Sequence, residues 1–482
     1  MQKSIISFLN VKSSSKHFRF DAEYFHPEFL STERLIKSNN YKELRDLIKV
    51  LTDYHANGSY KTLRKNVELK SEPDYAHMIR TVDIEKDDFE NDIIYINKHA
   101  YEFLEKTKVY GGEIIINKIG NAGKAYLIPP IEKKQSLGMN QFMIRTNEKI
   151  NNYYLYSYLA GKYGQNQLMQ RVTGAVPLSI DKESTRSVLV PIFSHNFQKN
   201  VAKAINLYIE YSKYSKKVFK ECKKNLLEEL GLDKWKPKHK LTFVKNFSDT
   251  IKSERIDAEY YQPKYEEIVN AIKNYKGGWD ILGNVVTLEK GLEVGRNEYL
   301  DEGIPFVRVS DISPFEIKEE KYISESLYSD IKHCQPQKDE ILFTKDATPG
   351  IAHYLTEQPK KMIVSEGVLR LKNITIGSKN KHKEINNEYL TLVLNSIILK
   401  EQINRDVGGS VIIHWRPKQV KNVLIPILPE EKRLKIQQKI IKSLNSHKQA
   451  KKMLNCAKRS VEIAIEQDEK TADGWLKSQI NN

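Results

Sequence analysis

Two polar loops interrupt apolar runs at corresponding places in the sequence, and their side chains suit nucleic-acid binding. They are NKIGNAGK, residues 117–124, and TKDATPG, residues 344–350. One further segment follows each loop, RVTGAVP at 171–177 and RDVGGSVIIHWR at 405–416. Glycines let the backbone approach a phosphate closely, and Lys, Arg, Asn, Gln, Thr and His donate to phosphates and base edges. Hairpin turns with solvated charges are the alternative, and the recurrence of the loops favours binding.

We expect the donor-bearing side chains in and around these segments to contact DNA. The predicted contacts are Arg80, Asn117, Lys118, Asn121, Lys124, Gln141, Arg171 and Thr173 in the first half of the chain and Arg308, Thr344, Lys345, Thr348, Arg405, Ser410, His414 and Arg416 in the second half. No catalytic residue and no metal ligand is predicted.

Enzymatic alternatives fit the sequence less well. A methyltransferase needs a glycine-rich cofactor loop and an NPPY-like or DPPY-like string, and the sequence contains neither string. IGNAGKA, residues 119–125, differs from a phosphate-binding loop because its glycines are three positions apart instead of five, and because Ala125 replaces Ser or Thr. Nucleotide hydrolysis is therefore disfavoured.

A nuclease metal site would need two or three carboxylates and a lysine that converge on a metal ion, and Asp74, Glu113 and Lys118 are the candidates for it. Glu113 has an equivalent in Glu340, but Asp74 has none, so a structural role is favoured.

The DAEY strings precede Pro27 and Pro263, which suit the first turn of a helix, where carboxylates are also favourable. Packing is the favoured role for these strings as well.

The chain contains the same ordered motifs twice. FRFDAEYFHPEF from residue 18 recurs as ERIDAEYYQPKY from residue 254, a shift of 236. The pairs that follow are MIRTVDI with FVRVSDI, GEIIINKIGNAGKAY with DEILFTKDATPGIAH, YLYSYLAG with YLTLVLNS, RVTGAVPLSI with RDVGGSVIIHW, and SVLVPI with NVLIPI. Apolar runs such as EIIIN, QFMIR, EILFT and VLRLK predict strands, and helices are expected after Pro27 and Pro263 and around Tyr154 and Tyr389. Each half is therefore predicted to be a mixed α/β domain.

Each half continues into a long charged helix with apolar residues every seven positions. The positions are Ile205, Ser212, Phe219 and Leu226 in the first helix and Ile440, His447, Leu454 and Val461 in the second, and only Ser212 and His447 interrupt the apolar series. Small residues lie between them in the second helix, so the two helices are predicted to pair antiparallel. About 36 residues would form a rod of roughly 50 Å between the domains. The alternative is that each helix packs on its own domain.

The predicted fold class is therefore α+β. Two mixed α/β domains are related by a pseudo-two-fold internal repeat and separated by two long antiparallel helices. The boundaries are a first domain at 1–192, a first helix with linker at 193–236, a second domain at 237–428, and a second helix with a C-terminal tail at 429–482.

Composition favours an extended polyanion as the partner. The formal net charge is +16, and Lys and Arg are spread along the whole chain, so the surface can neutralise many phosphates. The three cysteines form no CxxC pair, which predicts reduced thiols without a zinc site. No signal peptide or membrane span is recognised, so we expect no membrane partner and a cytoplasmic location.

Over essentially its whole length the chain resembles the specificity (S) subunits of type I restriction-modification systems. RFDAEYFHP and RIDAEYYQP look like the half-repeat openings of that family, and GNAGKAYLIP, TGAVPLSI and GGSVIIHW look like its recurring closing motifs. TKDATPGIAH departs from the GxxGK-like pattern of the first half. The resemblance implies two target recognition domains that each read one half of a bipartite DNA site.

It further implies that the helices set the spacing and dock two modification (methyltransferase) subunits, which motor-nuclease restriction subunits can join. S-adenosylmethionine would then be held by the methyltransferase subunits, and this chain would be non-catalytic. The alternative function is a basic two-domain scaffold that binds RNA or an acidic protein.

Overall fold

The computed structural model describes residues 5–14, 19–90, 92–130, 132–377, 384–407 and 414–481. The chain forms two compact units. Unit 1 comprises Met1–Tyr211 and Lys448–Asn482, and unit 2 comprises Ser212–His447. No helix among the described residues is both long enough and apolar enough to span a lipid bilayer.

Unit 1 is a mixed α/β unit. Its helices are α1 Phe8–Ser14, α2 Pro27–Lys37, α3 Tyr60–Asn66, α4 Thr81–Glu85, α5 Lys98–Phe103, α6 Asn152–Leu159, α7 Lys162–Gln170 and α8 Lys182–Arg186. Its strands are β1 Tyr41–Glu43, β2 Ile48–Asp53, β3 Ala76–Ile79, β4 Ile94–Ile96, β5 Lys108–Val109, β6 Ile114–Asn117, β7 Ala125–Leu127, β8 Gln135–Leu137, β9 Gln141–Thr146 and β10 Leu189–Pro191. The long helix α9, His195–Glu229, begins in unit 1 and ends in unit 2.

Unit 2 is built from the corresponding elements. Its helices are α10 Phe247–Ser253, α11 Pro263–Lys273, α12 Leu282–Val285, α13 Glu325–Ile331, α14 Asn387–Leu394, α15 Ile397–Val407 and α16 Pro417–Lys421. Its strands are β11 Trp279–Ile281, β12 Val286–Lys290, β13 Ile304–Val307, β14 Tyr322–Ile323, β15 Glu340–Thr344, β16 Ala352–Tyr354, β17 Ile363–Val364, β18 Val368–Asn373 and β19 Leu424–Pro426. The second long helix, α17 Glu430–Glu466, returns to unit 1 and is followed there by α18 Glu469–Asn481.

The sheets of the two units follow one plan, which confirms the internal repeat and the predicted strands. Unit 1 has a four-stranded sheet in the order β2-β9-β6-β7, and unit 2 has one in the order β12-β18-β15-β16. A second sheet contains a parallel pair in each unit, β3 with β8 and β13 with β17. A two-stranded sheet closes each unit, β1 with β10 and β11 with β19.

The central strands of each unit are buried on both faces, which explains their continuous apolar runs. In β6, Ile114 and Ile116 pack into the main core, whereas Ile115 packs into a smaller cluster with residues of the second sheet. In β15, Ile341 and Phe343 take the first of these environments and Leu342 the second. Apolar side chains on both faces remove the usual alternation with polar residues.

The repeated opening motif is a structural clasp. Nη2 of Arg19 donates to Asp21 at 2.6 Å, and Nη1 donates to the carbonyl oxygens of Gln170 and Val172, each at 3.2 Å. The guanidinium lies 4.8 Å from the centre of the Tyr24 ring. The hydrogen bond from Arg19 lowers the pKa of Asp21. The motif therefore ties the start of unit 1 to the end of α7.

Unit 2 contains the same clasp. Arg255 donates to Asp257 at 2.7 Å and to the carbonyl oxygen of Asp406 at 3.0 Å, and it lies 4.8 Å from the centre of the Tyr260 ring. Pro27 and Pro263 begin α2 and α11 as predicted. The packing role expected for the DAEY strings is therefore confirmed.

The long helices are present, but their apolar positions belong to the cores of the units. Ile205 and Val461 are buried in the core of unit 1, and Leu454 packs against that core. Phe219, Leu226 and Ile440 are buried in the core of unit 2. The two units therefore divide inside α9 and α17, because the two ends of each long helix pack into the cores of different units.

The C-terminal tail also joins unit 1. Ala472 and Leu476 of α18 are buried in its core, and Asn200 donates to the carboxylate of Asp473 at 2.6 Å. This helix was not predicted from the sequence.

Within unit 2 the two long helices run antiparallel, as predicted. Near one end Lys432 forms an ion pair with Glu229. Further along, the Ser215 hydroxyl donates to the Ser443 carbonyl oxygen and the Ser443 hydroxyl donates to the Ser215 carbonyl oxygen, each at 2.8 Å. Both serines are fully buried. Small side chains are required here because each hydroxyl is in contact with the main chain of the opposite helix.

Substitution of Ser443 by Leu tests this close packing. We expect Ser443→Leu to lower the free energy of unfolding by about 1–3 kcal/mol, because the larger side chain forces the helices apart. Urea unfolding followed by tryptophan fluorescence reports mainly on unit 2, which contains three of the four tryptophans. The control is Lys442→Leu, an exposed neighbour, which should change stability by less than about 0.5 kcal/mol. Equal effects of the two substitutions would contradict the packing.

Candidate nucleic-acid interface

The main chain of one lysine joins three loops of unit 1. The Lys118 N–H donates to the Asn140 carbonyl oxygen at 2.8 Å, and the Lys118 carbonyl oxygen accepts from the Ile180 N–H at 3.0 Å. The segments 117–124, 138–141 and 173–180, which are far apart in sequence, therefore meet at one residue. We call this arrangement the loop junction.

Unit 2 repeats the loop junction around Lys345. The Lys345 N–H donates to the Gly367 carbonyl oxygen at 2.9 Å, and the Trp415 N–H donates to the Lys345 carbonyl oxygen at 3.0 Å. The correspondence between the units therefore extends to individual main-chain hydrogen bonds.

The turn inside the first loop is also repeated, although TKDATPG lacks the glycine pattern of NKIGNAGK. Gly123 N–H donates to the Asn117 carbonyl oxygen, and Gly350 N–H donates to the Thr344 carbonyl oxygen, each at 2.9 Å. Gly120 has a φ of +86°, and Ala347 at the corresponding position has a φ of +54°. Ala347 thus holds a left-handed conformation that disfavours a Cβ atom.

A carboxylate positions two lysines beside the junction of unit 1. Asp53, at the end of β2, lies 3.2 Å from the Lys118 ammonium and 2.7 Å from the Lys182 ammonium. Burial acts to raise the pKa of Asp53, but the hydrogen bonds from Lys182 and Lys118 outweigh it and hold the pKa below its ordinary value. Two ammonium groups share one carboxylate, so the cluster keeps a net positive charge and N–H donors for an anion.

Two predicted DNA contacts in unit 1 are enclosed. Asn117 and Gln141 are opposite each other on β6 and β9, and both are fully buried. Asn117 donates to Glu85 at 2.9 Å, and the exposed Asn121 donates to the same carboxylate oxygen at 2.9 Å. The two buried amides hold the loop, while Asn121 is accessible.

The predicted contacts Arg80 and Arg308 occupy corresponding capping positions. Arg80 donates to Asp83 at 2.6 Å, and Arg308 donates to Asp311 at 2.9 Å. Both carboxylates are buried, and about a third of each arginine side chain is exposed. The arginines therefore fix the turns after β3 and β13 and contribute little uncompensated charge.

Arg171 is buried and fully engaged inside unit 1. Its guanidinium donates to the carbonyl oxygen of Gln167 at 2.8 Å and to both the hydroxyl and the carbonyl oxygen of Ser187 at 2.9 Å. Burial lowers the pKa of Arg171. The donors of Arg171 therefore tie α7 to the end of α8.

In unit 2, Arg405 lies 4.5 Å from the centre of the Tyr260 ring, beside the clasp. Thr344 and Lys345 are buried, and the Thr344 hydroxyl donates to the Thr348 carbonyl oxygen at 2.7 Å. Thr344 and Lys345 stabilise the loop through contacts within it, since Lys345 also forms an ion pair with Asp346.

The remaining predicted contacts are exposed. They are Lys124 and Thr173 with Asn121 in unit 1, and Thr348, His414 and Arg416 in unit 2. His414 Nδ1 lies 3.1 Å from Asp346, which also forms an ion pair with Lys345. Ser410 lies outside the described residues.

Sequence reasoning missed Asp53, Lys182 and Asp346. Lys182 follows the motif TGAVPLSI by only two residues, which offered a signal for it. Asp53 becomes a neighbour of the loop only through the pairing of β2 with β9, which no spacing in the sequence reveals.

The residues considered for a nuclease site do not converge. Asp74 pairs with Lys70, Glu113 with Arg145 and Lys118 with Asp53. Glu340 pairs with Arg370 just as Glu113 pairs with Arg145. Glu113 therefore has the structural role that was expected for it. The described residues contain no group of three or more His, Cys, Asp or Glu that could hold a metal ion.

Comparisons with known proteins give distant likenesses. No family model matches the chain, and no curated protein matches it. The S subunit of a type I restriction-modification system from M. genitalium aligns over 91% of this chain and 96% of its own, at 12% identity and a TM-score of 0.34.

A chain from a structural study of complex assembly and conformational transition of the type I R-M system aligns over 91% of this chain and 97% of its own, at 14% identity and a TM-score of 0.25. The HsdS subunit of Thermoanaerobacter tengcongensis aligns over 91% of this chain and 96% of its own, also at 14% identity and a TM-score of 0.25. Likenesses at this level assign no function.

The left-handed Ala347 generates a prediction about the loop of unit 2. We expect Ala347→Gly to raise the free energy of unfolding by about 0.5–1 kcal/mol, because glycine adopts this conformation without the strain of a Cβ atom. Urea unfolding measures the change. The control Ala352→Gly, at a buried strand position, should instead lower stability by about 1 kcal/mol. A loss of stability in both variants would contradict the strain at Ala347.

Proposed function

We propose that this chain is the sequence-specific DNA-binding subunit of a multi-subunit methylation and restriction complex, and that each unit reads one half of a bipartite duplex site. The observation that carries the proposal is the loop junction, which occurs twice with the same main-chain hydrogen bonds but with different exposed side chains. One frame with two sets of contacts is what two different half-sites require.

Charge around the junction supports phosphate binding. In unit 1 the ammonium groups of Lys118 and Lys182 are held by Asp53, so little side-chain entropy is lost when they meet an anion. Lys124 is exposed on the same loop. Phosphate contacts of this kind position a protein on DNA without reading its sequence.

Base readout is proposed for the exposed polar side chains. Asn121 can donate to and accept from adenine in the major groove. In unit 2, Arg416 and His414 replace this chemistry with donors suited to guanine and to phosphate. Because the sets differ, the two half-sites should differ in sequence.

Catalysis is assigned to partners. The sequence contains no methyltransferase motif, and its motifs resemble those of S subunits, so we propose that two modification subunits bound to this chain hold S-adenosylmethionine and methylate the site. A base to be methylated must leave the duplex and enter a pocket, which the partner would supply. Restriction subunits would join the same complex. The long helices are proposed to set the gap between half-sites and to dock the modification subunits.

Selection from a random duplex library tests the function. The purified full-length chain, alone and with its modification subunits, should enrich two short fixed motifs separated by a gap of constant length and variable sequence. Asn121→Ala should relax bases in one motif only, and His414→Ala should relax bases in the other motif only. The matched control is Lys98→Ala, an exposed residue outside the loop junctions, which should leave both motifs unchanged.

Three results would contradict the proposal. Enrichment of RNA over duplex DNA in a parallel selection would favour the basic scaffold. A single continuous motif would reject the division between units. Relaxation of both motifs by one substitution would show that the loop junctions do not act separately.

A further inference from the structure

Three apolar side chains are exposed on the polar surface around the loop junction of unit 1. Val176 is 95% exposed, Met139 is 47% exposed and Leu178 is 40% exposed. Met139 lies on the segment 138–141, and the other two lie on the segment 173–180. Isolated exposed apolar residues are common, but these three lie on segments that the main chain of Lys118 holds together.

The loop that carries Val176 is held in a defined shape. The main chains of Thr173 and Ser179 exchange two hydrogen bonds of 2.8 Å, which close the loop. Gly174 has a φ of +98°, and a Cβ atom there would lie 2.9 Å from the Pro177 carbonyl oxygen. Gly120 N–H donates to the Leu178 carbonyl oxygen at 3.1 Å, which fastens the loop to NKIGNAGK. Because these hydrogen bonds fix the backbone of the loop, the exposed side chain of Val176 is held at a defined place on the surface.

The side chain itself is suited to insertion. Valine is branched at Cβ and has few rotamers, so little entropy is lost when it is immobilised. The loop that carries Val176 lies beside Lys118 and Lys182, whose ammonium groups suit phosphates. Duplex DNA fits both the apolar side chain and the positive charge. DNA-binding proteins use apolar side chains in this way to separate stacked bases.

We propose that Val176 is a wedge that enters between two stacked base pairs of the half-site bound by unit 1. This inference rests on the proposed function and adds a distortion of the DNA to it. A separated step lowers the cost of extruding a neighbouring base, which a methyltransferase partner requires. The corresponding segment of the second half, residues 408–413, lies outside the described residues.

Fluorescence of 2-aminopurine tests the wedge, because this base brightens when it loses its stacked neighbours. The probe is the duplex recovered by the selection, with 2-aminopurine substituted in turn for each purine, bound by saturating full-length chain. We expect one bright step within the half-site of unit 1. Val176→Ser should reduce this signal by at least about tenfold, because the stacked step is strongly favoured without a wedge.

Two matched variants separate a wedge from a general disturbance. Val176→Leu keeps an apolar side chain and should retain the bright step. Val244→Ser removes a valine that is 93% exposed elsewhere in the chain and should leave the signal unchanged.

The outcomes distinguish the two proposals. A bright step that persists in Val176→Ser, or no bright step in the wild-type complex, overturns the wedge while the recovered two-part site leaves the proposed function intact. Failure of the wild-type chain to enrich any duplex overturns the proposed function, and the wedge with it.

Discussion

The main-chain hydrogen bonds of Lys118 and Lys345 are the constraint on which the candidate surfaces depend. Each lysine uses its N–H for one neighbouring loop and its carbonyl oxygen for another, so three loops are held at one point. Buried main-chain groups must be paired, and here the pairing also fixes the positions of the loops. Because the bonds use backbone atoms, the exposed side chains can change without moving the frame.

The opening clasp also fixes one of the three loops of each loop junction. Arg19 donates to the carbonyl oxygen of Val172, directly before the loop that carries Thr173 and Val176. Arg255 donates to the carbonyl oxygen of Asp406, at the end of α15 and before the corresponding segment. The repeated motif at the start of each half therefore anchors the place where the third loop begins. Asp21 and Asp257 are parts of this anchor.

Much of the fold could be predicted because it follows from local patterns. The repeat, the helices that begin at Pro27 and Pro263, and the strands around Ile115 and Leu342 all follow from motif order, proline position and apolar runs. The structure also shows the long helices and their antiparallel course in unit 2. The division of these helices between the units depends on which core buries each segment, and helical periodicity does not contain that information.

The candidate site could be predicted only in part. The loops chosen from the sequence, because glycines and donors recur at matching places, do meet at the loop junctions. The sequence did not separate exposed from enclosed side chains, so Asn117, Gln141 and Arg171 were grouped with Asn121. Exposure is decided by long-range pairing, such as that of β2 with β9, which also brings Asp53 to Lys118.

Under the proposed function, each unit reads its own half-site through a frame common to both. Residues 42–190 begin and end at paired positions of β1 and β10, and residues 280–425 begin and end at the equivalent pair of β11 and β19. A chain in which 280–425 replaces 42–190 therefore carries the loops of unit 2 twice. Selection from the random duplex library should then recover two copies of the second half-site and no first half-site. Persistence of the first half-site in this chain would contradict the account.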